Sequence, residues 1–228
     1  MKSLYIIPFF ALFLFFACKA DKKTIPSDQF ISSSYYLRYL EEEQTLKAEA
    51  TFRQGDSLAN AKAKTYAGVF FNNQEMTFKK LSDANQRYVL NTTGEFPSGD
   101  LVFSFINDNG HKEGQPFSFS PMKSLATKGL VSKSKGATLT WEGKALGDQE
   151  SVICLFSDEN NRTTNTIVRG PTDGPQISIP PEKLSALTTG KGNLYLVRKN
   201  RSRKDEANRS SFAVLEYYTT TIDVEVGE

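Results

Sequence analysis

The chain of 228 residues holds one His, two Cys, one Trp and three Met. A single His excludes every site built from several imidazoles, including most catalytic zinc centres. Two Cys cannot supply the disulfide framework of a small secreted scaffold. An excess of one charge sign is also missing, because 28 basic and 26 acidic residues leave a balance of +2. That gives no global field for nucleic acid, and no nucleic-acid partner or cofactor is expected. Beyond the first seventeen residues there is no long apolar run, and no window over about ten residues has convincing helical spacing. The 39% hydrophobic content, with 12% aromatic residues, nevertheless suits a folded body and not a disordered one.

Met1-Lys2-Ser3 is a short cationic start, and residues 4–17 are almost uninterruptedly apolar. A membrane-crossing helix needs ~20 apolar residues. This run is shorter, contains Pro8 and is followed by Lys19, Asp21, Lys22 and Lys23. Residues 1–17 therefore read as an export signal. Their end, Phe15-Phe16-Ala17-Cys18, resembles the lipobox of bacterial lipoproteins, with a small residue before the Cys. The resemblance implies that Cys18 is acylated and becomes the N-terminus, with residues 18–33 a polar tether. Each buried methylene contributes about 0.8 kcal/mol, so two or three acyl chains hold a soluble body on a membrane. The implied address is the cell envelope, and Lys19, where an Asp would signal inner-membrane retention, points to the outer membrane. Simple secretion with cleavage after Ala20 is the alternative.

Past the tether the dominant signal is alternation at period two, the mark of half-buried strands. Leu46, Ala48, Ala50 and Phe52 share one face against Lys47, Glu49 and Thr51. Leu101-Phe103-Phe105, Ala137-Leu139-Trp141, Leu194-Leu196 and Ile222-Val224-Val226 follow the same rule. The pattern recurs. Ala50-Thr51-Phe52 before Gly55-Asp56 matches Leu139-Thr140-Trp141 before Gly147-Asp148, an offset of 89 residues. Gly99-Asp100-Leu101-Val102-Phe103 matches Gly192-Asn193-Leu194-Tyr195-Leu196, an offset of 93. A repeat of this length is close to the ~100 residues of a seven-stranded immunoglobulin-type sandwich.

The expected fold is all-β, with two tandem sandwiches at 34–120 and 121–228 and the seam near Ser120-Pro121. One large sandwich or barrel is the alternative. The second unit resembles the immunoglobulin-like and fibronectin-III-like modules of bacterial surface lipoproteins. Gln176-Ile177-Ser178-Ile179-Pro180-Pro181, Leu184, Leu187, Gly190 and the strand ending at Arg198 carry that likeness. It implies a shape and no function.

Three constellations bear on chemistry. Gly55-Asp56-Ser57-Leu58 spells the signature of the GDSL serine hydrolases, and Asp108-Asn109-Gly110-His111 has the Asp-x-x-His spacing of their base and orienting carboxylate. In that family the Asp-x-x-His lies near the C-terminus of a helix-rich fold, whereas here 117 residues follow His111. Ser57 and His111 thus define a minor catalytic alternative. The bland reading is a polar loop and a tight Asn109-Gly110 hairpin turn. Asp108, His111 and Glu113 form only a weak metal-donor set. Cys154, in phase with Val152 and Phe156, reads as a small buried hydrophobe.

The third constellation is Arg198, Lys199, Arg201, Arg203, Lys204 and Arg209, six cations among the twelve residues 198–209 with only Asp205 and Glu206 opposing them. They are expected on a hairpin loop that docks an anionic glycan, lipid headgroup or acidic protein face. The functional expectation is a lipid-anchored, non-catalytic binding or scaffolding module. A carbohydrate-binding surface lipoprotein is the nearest alternative, with Trp141 and the Tyr35-Tyr36 and Tyr217-Tyr218 pairs as possible stacking surfaces.

Overall fold

The structure is a computed structural model that describes residues 30–55 and 60–228. Residues 1–17, Cys18, most of the tether, and Ser57 with its Asp56 and Leu58 neighbours lie outside the described residues. The regular structure of the described residues is almost all strand. The first nine are β1 (Ile31–Leu40), β2 (Thr45–Gln54), β3 (Lys62–Ala63), β4 (Val69–Phe71), β5 (Gln74–Glu75), β6 (Thr77–Lys80), β7 (Gln86–Thr93), β8 (Leu101–Ile106) and β9 (Lys112–Phe117). Then come β10 (Lys123–Thr127), β11 (Val131–Ser132), β12 (Ala137–Glu142), β13 (Glu150–Asp158), β14 (Thr163–Arg169), β15 (Gln176–Ile179), β16 (Gly190–Glu206), β17 (Arg209–Tyr218) and β18 (Ile222–Gly227). One 3-10 turn, Pro181–Lys183, begins at the Pro pair.

Each half builds a sandwich. In the first, β1-β2-β7-β6 packs on β5-β4-β8-β9. In the second, β10-β12-β15 packs on a sheet in which β16 lies between β13 and the strands β17 and β18, with β14 outside β13. The first half packs four strands on four and the second packs three on this larger sheet, in sandwiches of the immunoglobulin kind. Phe52 in β2 and Trp141 in β12 lie on inner strands of one layer, and Leu101 in β8 and Leu194 in β16 on inner strands of the other. The alternating apolar rows are the core: Leu46, Ala48, Ala50, Phe52, Leu139, Trp141, Leu194 and Leu196 are all buried. Each large apolar side chain so buried contributes roughly 1.5–3 kcal/mol.

The sandwiches are not strung on a free linker. β1 runs parallel to β17 over ten register pairs, Ile31 opposite Arg209 through Leu40 opposite Tyr218. On its other side β1 is antiparallel to β2 over the same ten residues. A continuous sheet thus runs β6-β7-β2-β1-β17-β16-β13-β14 across both halves. On its inner face Tyr35, Leu37 and Tyr39 stand opposite Ala213, Leu215 and Tyr217, all buried. Tyr39 stacks on Tyr217 with centroids 5.3 Å apart, and Phe96 packs edge-on against both. The halves therefore share one aromatic core.

Asp158 closes β13. Its carboxylate accepts backbone N–H groups from Asn160 and Arg162 at 2.9 Å and from Thr188 at 2.7 Å. Desolvation pushes this carboxyl up, but the hydrogen bonds from Thr188, Arg162 and Asn160 prevail and hold it at about 2. An unfolded Asp titrates near ~3.9. A depressed native value means stability that is fully present above the unfolded value and lost as pH falls from about 4 through about 2. Asp158→Asn should lower the thermal midpoint by several degrees at pH 7 and flatten the drop between pH 5 and 2. Parallel midpoint-versus-pH curves for the two proteins would contradict this.

The seam also makes a prediction. Chains 30–120 and 121–228 produced apart leave the facing edges of β1 and β17 bare, and bare edges invite self-pairing. Each piece should unfold well below the intact protein or self-associate on size exclusion. Monomeric halves with the intact protein's midpoint would show that the seam contributes nothing.

Candidate functional site

The run 198–209 is not a loop. β16 continues to Glu206, only Ala207 and Asn208 turn, and β17 begins at Arg209. Charge on both faces hides this strand from a hydropathy reading. Backbone pairing fixes it, because β17 is bonded to β16 on one side and to β1 on the other. Strand alternation then sends the six cations to opposite faces.

Arg198, Lys204 and Arg209 point inward. Arg198 is 1% exposed. Its Nε donates to Glu150 Oε1 at 3.1 Å and its Nη2 to Glu150 Oε2 at 2.6 Å. Its guanidinium also donates to the Lys144 and Ala145 carbonyls at 3.1 and 3.0 Å, and lies 5.9 Å from the Phe119 ring centroid. Arg209 pairs with Glu113 of β9 and sits 5.1 Å from the Phe105 ring. The Arg209 hydrogen bond holds the Glu113 carboxyl below its usual range, against desolvation. Arg209 is a staple between the halves, whereas Arg198 is held within the second. Lys204 remains exposed, 2.8 Å from Glu206.

Lys199, Arg201 and Arg203 point outward, onto the open face of the shared sheet. In register, Lys199 meets Glu216, Glu216 meets Arg38, and Arg38 meets Lys47. This row puts three cations around one acid. Burial pushes the Glu216 carboxyl up, but the Lys199 ammonium and the Tyr36 and Tyr218 hydroxyls outweigh it and hold the group below its usual range. The next rows bring Arg201, Arg203, Glu49 and Arg53 to the same face, with Asp205 and Arg87 at its margins. Seven cations thus share this face with three carboxylates. Glu49 is taken by Lys47 at 2.6 Å and Arg87 at 3.5 Å, and Asp205 by Arg203 at 3.0 Å. Arg38 and Arg201 have no ion-pair partner among the described residues. Arg38 and Lys47 border a shallow depression of about 570 Å³ that Glu43, Thr45, Asn91 and Thr93 also line. Sequence reasoning found Lys199, Arg201 and Arg203 but missed Arg38, Lys47 and Arg53, because these lie more than 140 residues away and join them only through the β1–β17 pairing.

Asp108, the expected orienting carboxylate, is held by Lys64 at 2.7 Å. His111 is exposed and bonds Asn107 through its backbone, its N–H donating to Asn107 Oδ1 and its carbonyl accepting from the Asn107 N–H, both at 2.9 Å. Asn109-Gly110 forms the turn, with Gly110 at φ 78°, a conformation that favours glycine. Asp108 and Glu113 are each spent on a cation, and among the described residues no group of His, Cys, Asp and Glu could hold a metal. Cys154 is fully buried, and burial pushes its thiol up to about 12, the opposite of an activated nucleophile. Trp141 is in the core, its Nε1 donating to the Lys144 carbonyl at 3.1 Å. Of the Tyr pairs, Tyr35 and Tyr217 are buried while Tyr36 and Tyr218 lie on the outer face, half-buried.

No protein-family model matches the chain, and no curated protein matches it. Solved structures do. A tetra-tandem repeat from the extending region of a large adhesion protein has 14% identity over 82% of this chain, with a TM-score of 0.31. Latent PorU from Porphyromonas gingivalis has 10% identity over 87%, with a TM-score of 0.27, and the two-immunoglobulin-domain DIP-gamma 9% over 83%, with 0.21. The chain spans about half of the adhesion repeat structure (48%) and about a fifth of PorU (21%). Overlaps this loose carry no argument about activity.

The Arg198–Glu150 pair is testable. Arg198→Met leaves the Glu150 carboxylate buried without its partner, and breaking such a pair costs about 3–5 kcal/mol. Adding Glu150→Gln should restore at least half of the loss in a urea titration. If the single and double variants were equally unstable, the pair would not be the source.

Proposed function

We propose that the protein is a non-catalytic binding module of the cell envelope, held to a membrane through acylated Cys18, that engages an anionic partner with the outer face of its shared sheet. The observation that carries the reading is the cation excess on that face in a chain whose overall balance is +2. A rigid sheet presents these side chains at fixed spacing, so little ordering entropy is spent on docking. Arginines dominate, and a guanidinium recognises carboxylate, sulfate and phosphate oxygens in bidentate fashion. Arg38 and Arg201, which have no ion-pair partner among the described residues, are cations that a partner meets at little cost. The tether reaches the sheet at β1, so the body stays within a few tens of ångströms of its anchor.

Retention on immobilised heparin, used as a generic polyanion, tests the reading. Arg38→Glu combined with Arg201→Glu should elute at clearly lower salt than the parent chain, because exposed charge attraction is screened over about 8–10 Å. Elution at the parent's salt concentration would remove the outer face as the anion-binding surface.

A further inference from the structure

The inner face of the β16–β17 hairpin changes character along its length. Leu194 and Leu196 pack into the second core and Arg198 is buried in its ion pair, but the next inward residues are Asn200, Ser202 and Lys204. The cause is the end of β13. Glu150 is paired with Asn200, so past this point the hairpin no longer covers its own sandwich. It reaches over β9 of the first half and is strapped there by Arg209 and Glu113. Between the two lies a cavity of about 250 Å³, walled by Gln115 and Phe117 on the β9 side and by Gln149, Asn200, Ser202 and Ser211 on the other.

These polar walls are unspent. Ser202 Oγ is buried and has no hydrogen-bond partner, although buried polar atoms in native structures almost always have one. The side chains of Gln149, Asn200 and Ser211 make no hydrogen bond among the described residues. Of the hairpin's cations, inward-pointing Lys204 lines the cavity, and no carboxylate does. Its partner Glu206 forms an exposed pair, which is worth little and readily exchanged.

We propose that this seam cavity binds one acidic sugar ring. Amide and hydroxyl walls supply both donors and acceptors, as ring hydroxyls require. Phe117 offers an apolar surface for the ring's C–H face, and the Lys204 ammonium meets the carboxylate. The volume lies below the ~300–1,000 Å³ of sites for drug-sized ligands, which suits a single ring. The site is on the opposite side of the hairpin from Arg38 and Arg201, so it stands independently of the polyanion-binding face.

Calorimetric titration of the chain in detergent micelles with D-glucuronate, and with D-glucose in parallel, tests this. Glucuronate should bind at least about fivefold more tightly than glucose. Ser202→Val, which removes the unspent hydroxyl, should weaken glucuronate about fivefold, a step the size of one hydrogen bond. Lys204→Gln, at an exposed position that leaves the core untouched, should weaken glucuronate and leave glucose unchanged. The Arg38→Glu, Arg201→Glu double variant should bind glucuronate as the parent does, and its loss of binding would place the sugar on the outer face and overturn the proposal. No heat up to about 50 mM glucuronate, equal affinity for both sugars, or indifference to both Ser202→Val and Lys204→Gln would overturn it as well.

Discussion

The parallel pairing of β1 with β17 is the constraint on which the rest depends. It joins the sheet of one sandwich to the sheet of the other, aligns two inward aromatic rows into one core, and gives β17 hydrogen-bonded neighbours on both edges. With β17 held there, β16 is forced to remain a strand for 17 residues. Its far end must then project beyond its own sandwich and cover the first. The outer face, the Arg209–Glu113 strap and the seam cavity all follow from that projection.

Strand geometry does the sorting. Alternate side chains leave a strand on opposite faces, so a run that is uniformly basic in sequence becomes two populations with different physics. Arg198 and Arg209 lose water and are satisfied by carboxylates, carbonyls and aromatic rings. Lys199, Arg201 and Arg203 stay at the solvent face and add their field to that of Arg38, Lys47 and Arg53. A charge run is therefore not one site, and its members cannot be exchanged for one another.

The two rows of the hairpin also separate structure from recognition. A buried, fully hydrogen-bonded Arg is costly to form and costly to break, which suits a fixed joint. Exposed cations on a flat sheet contribute little to folding and remain available to a partner. The polar switch at Asn200 marks where the hairpin stops being core and starts being a wall.

Periodicity, turn residues and composition by themselves determined the all-β class, the apolar rows of both cores, the buried state of Cys154 and Trp141 and the opposed Tyr pairs. These are local properties, because period-two alternation and Asn-Gly turns act within a few residues. The pairing of β1 with β17, the strand nature of 198–206 and the assembly of Arg38 and Lys47 beside Arg201 were decided only in three dimensions. A strand's alternation says which side faces a core but not which strand lies alongside it. Ten backbone pairs between residues some 178 positions apart leave no local trace.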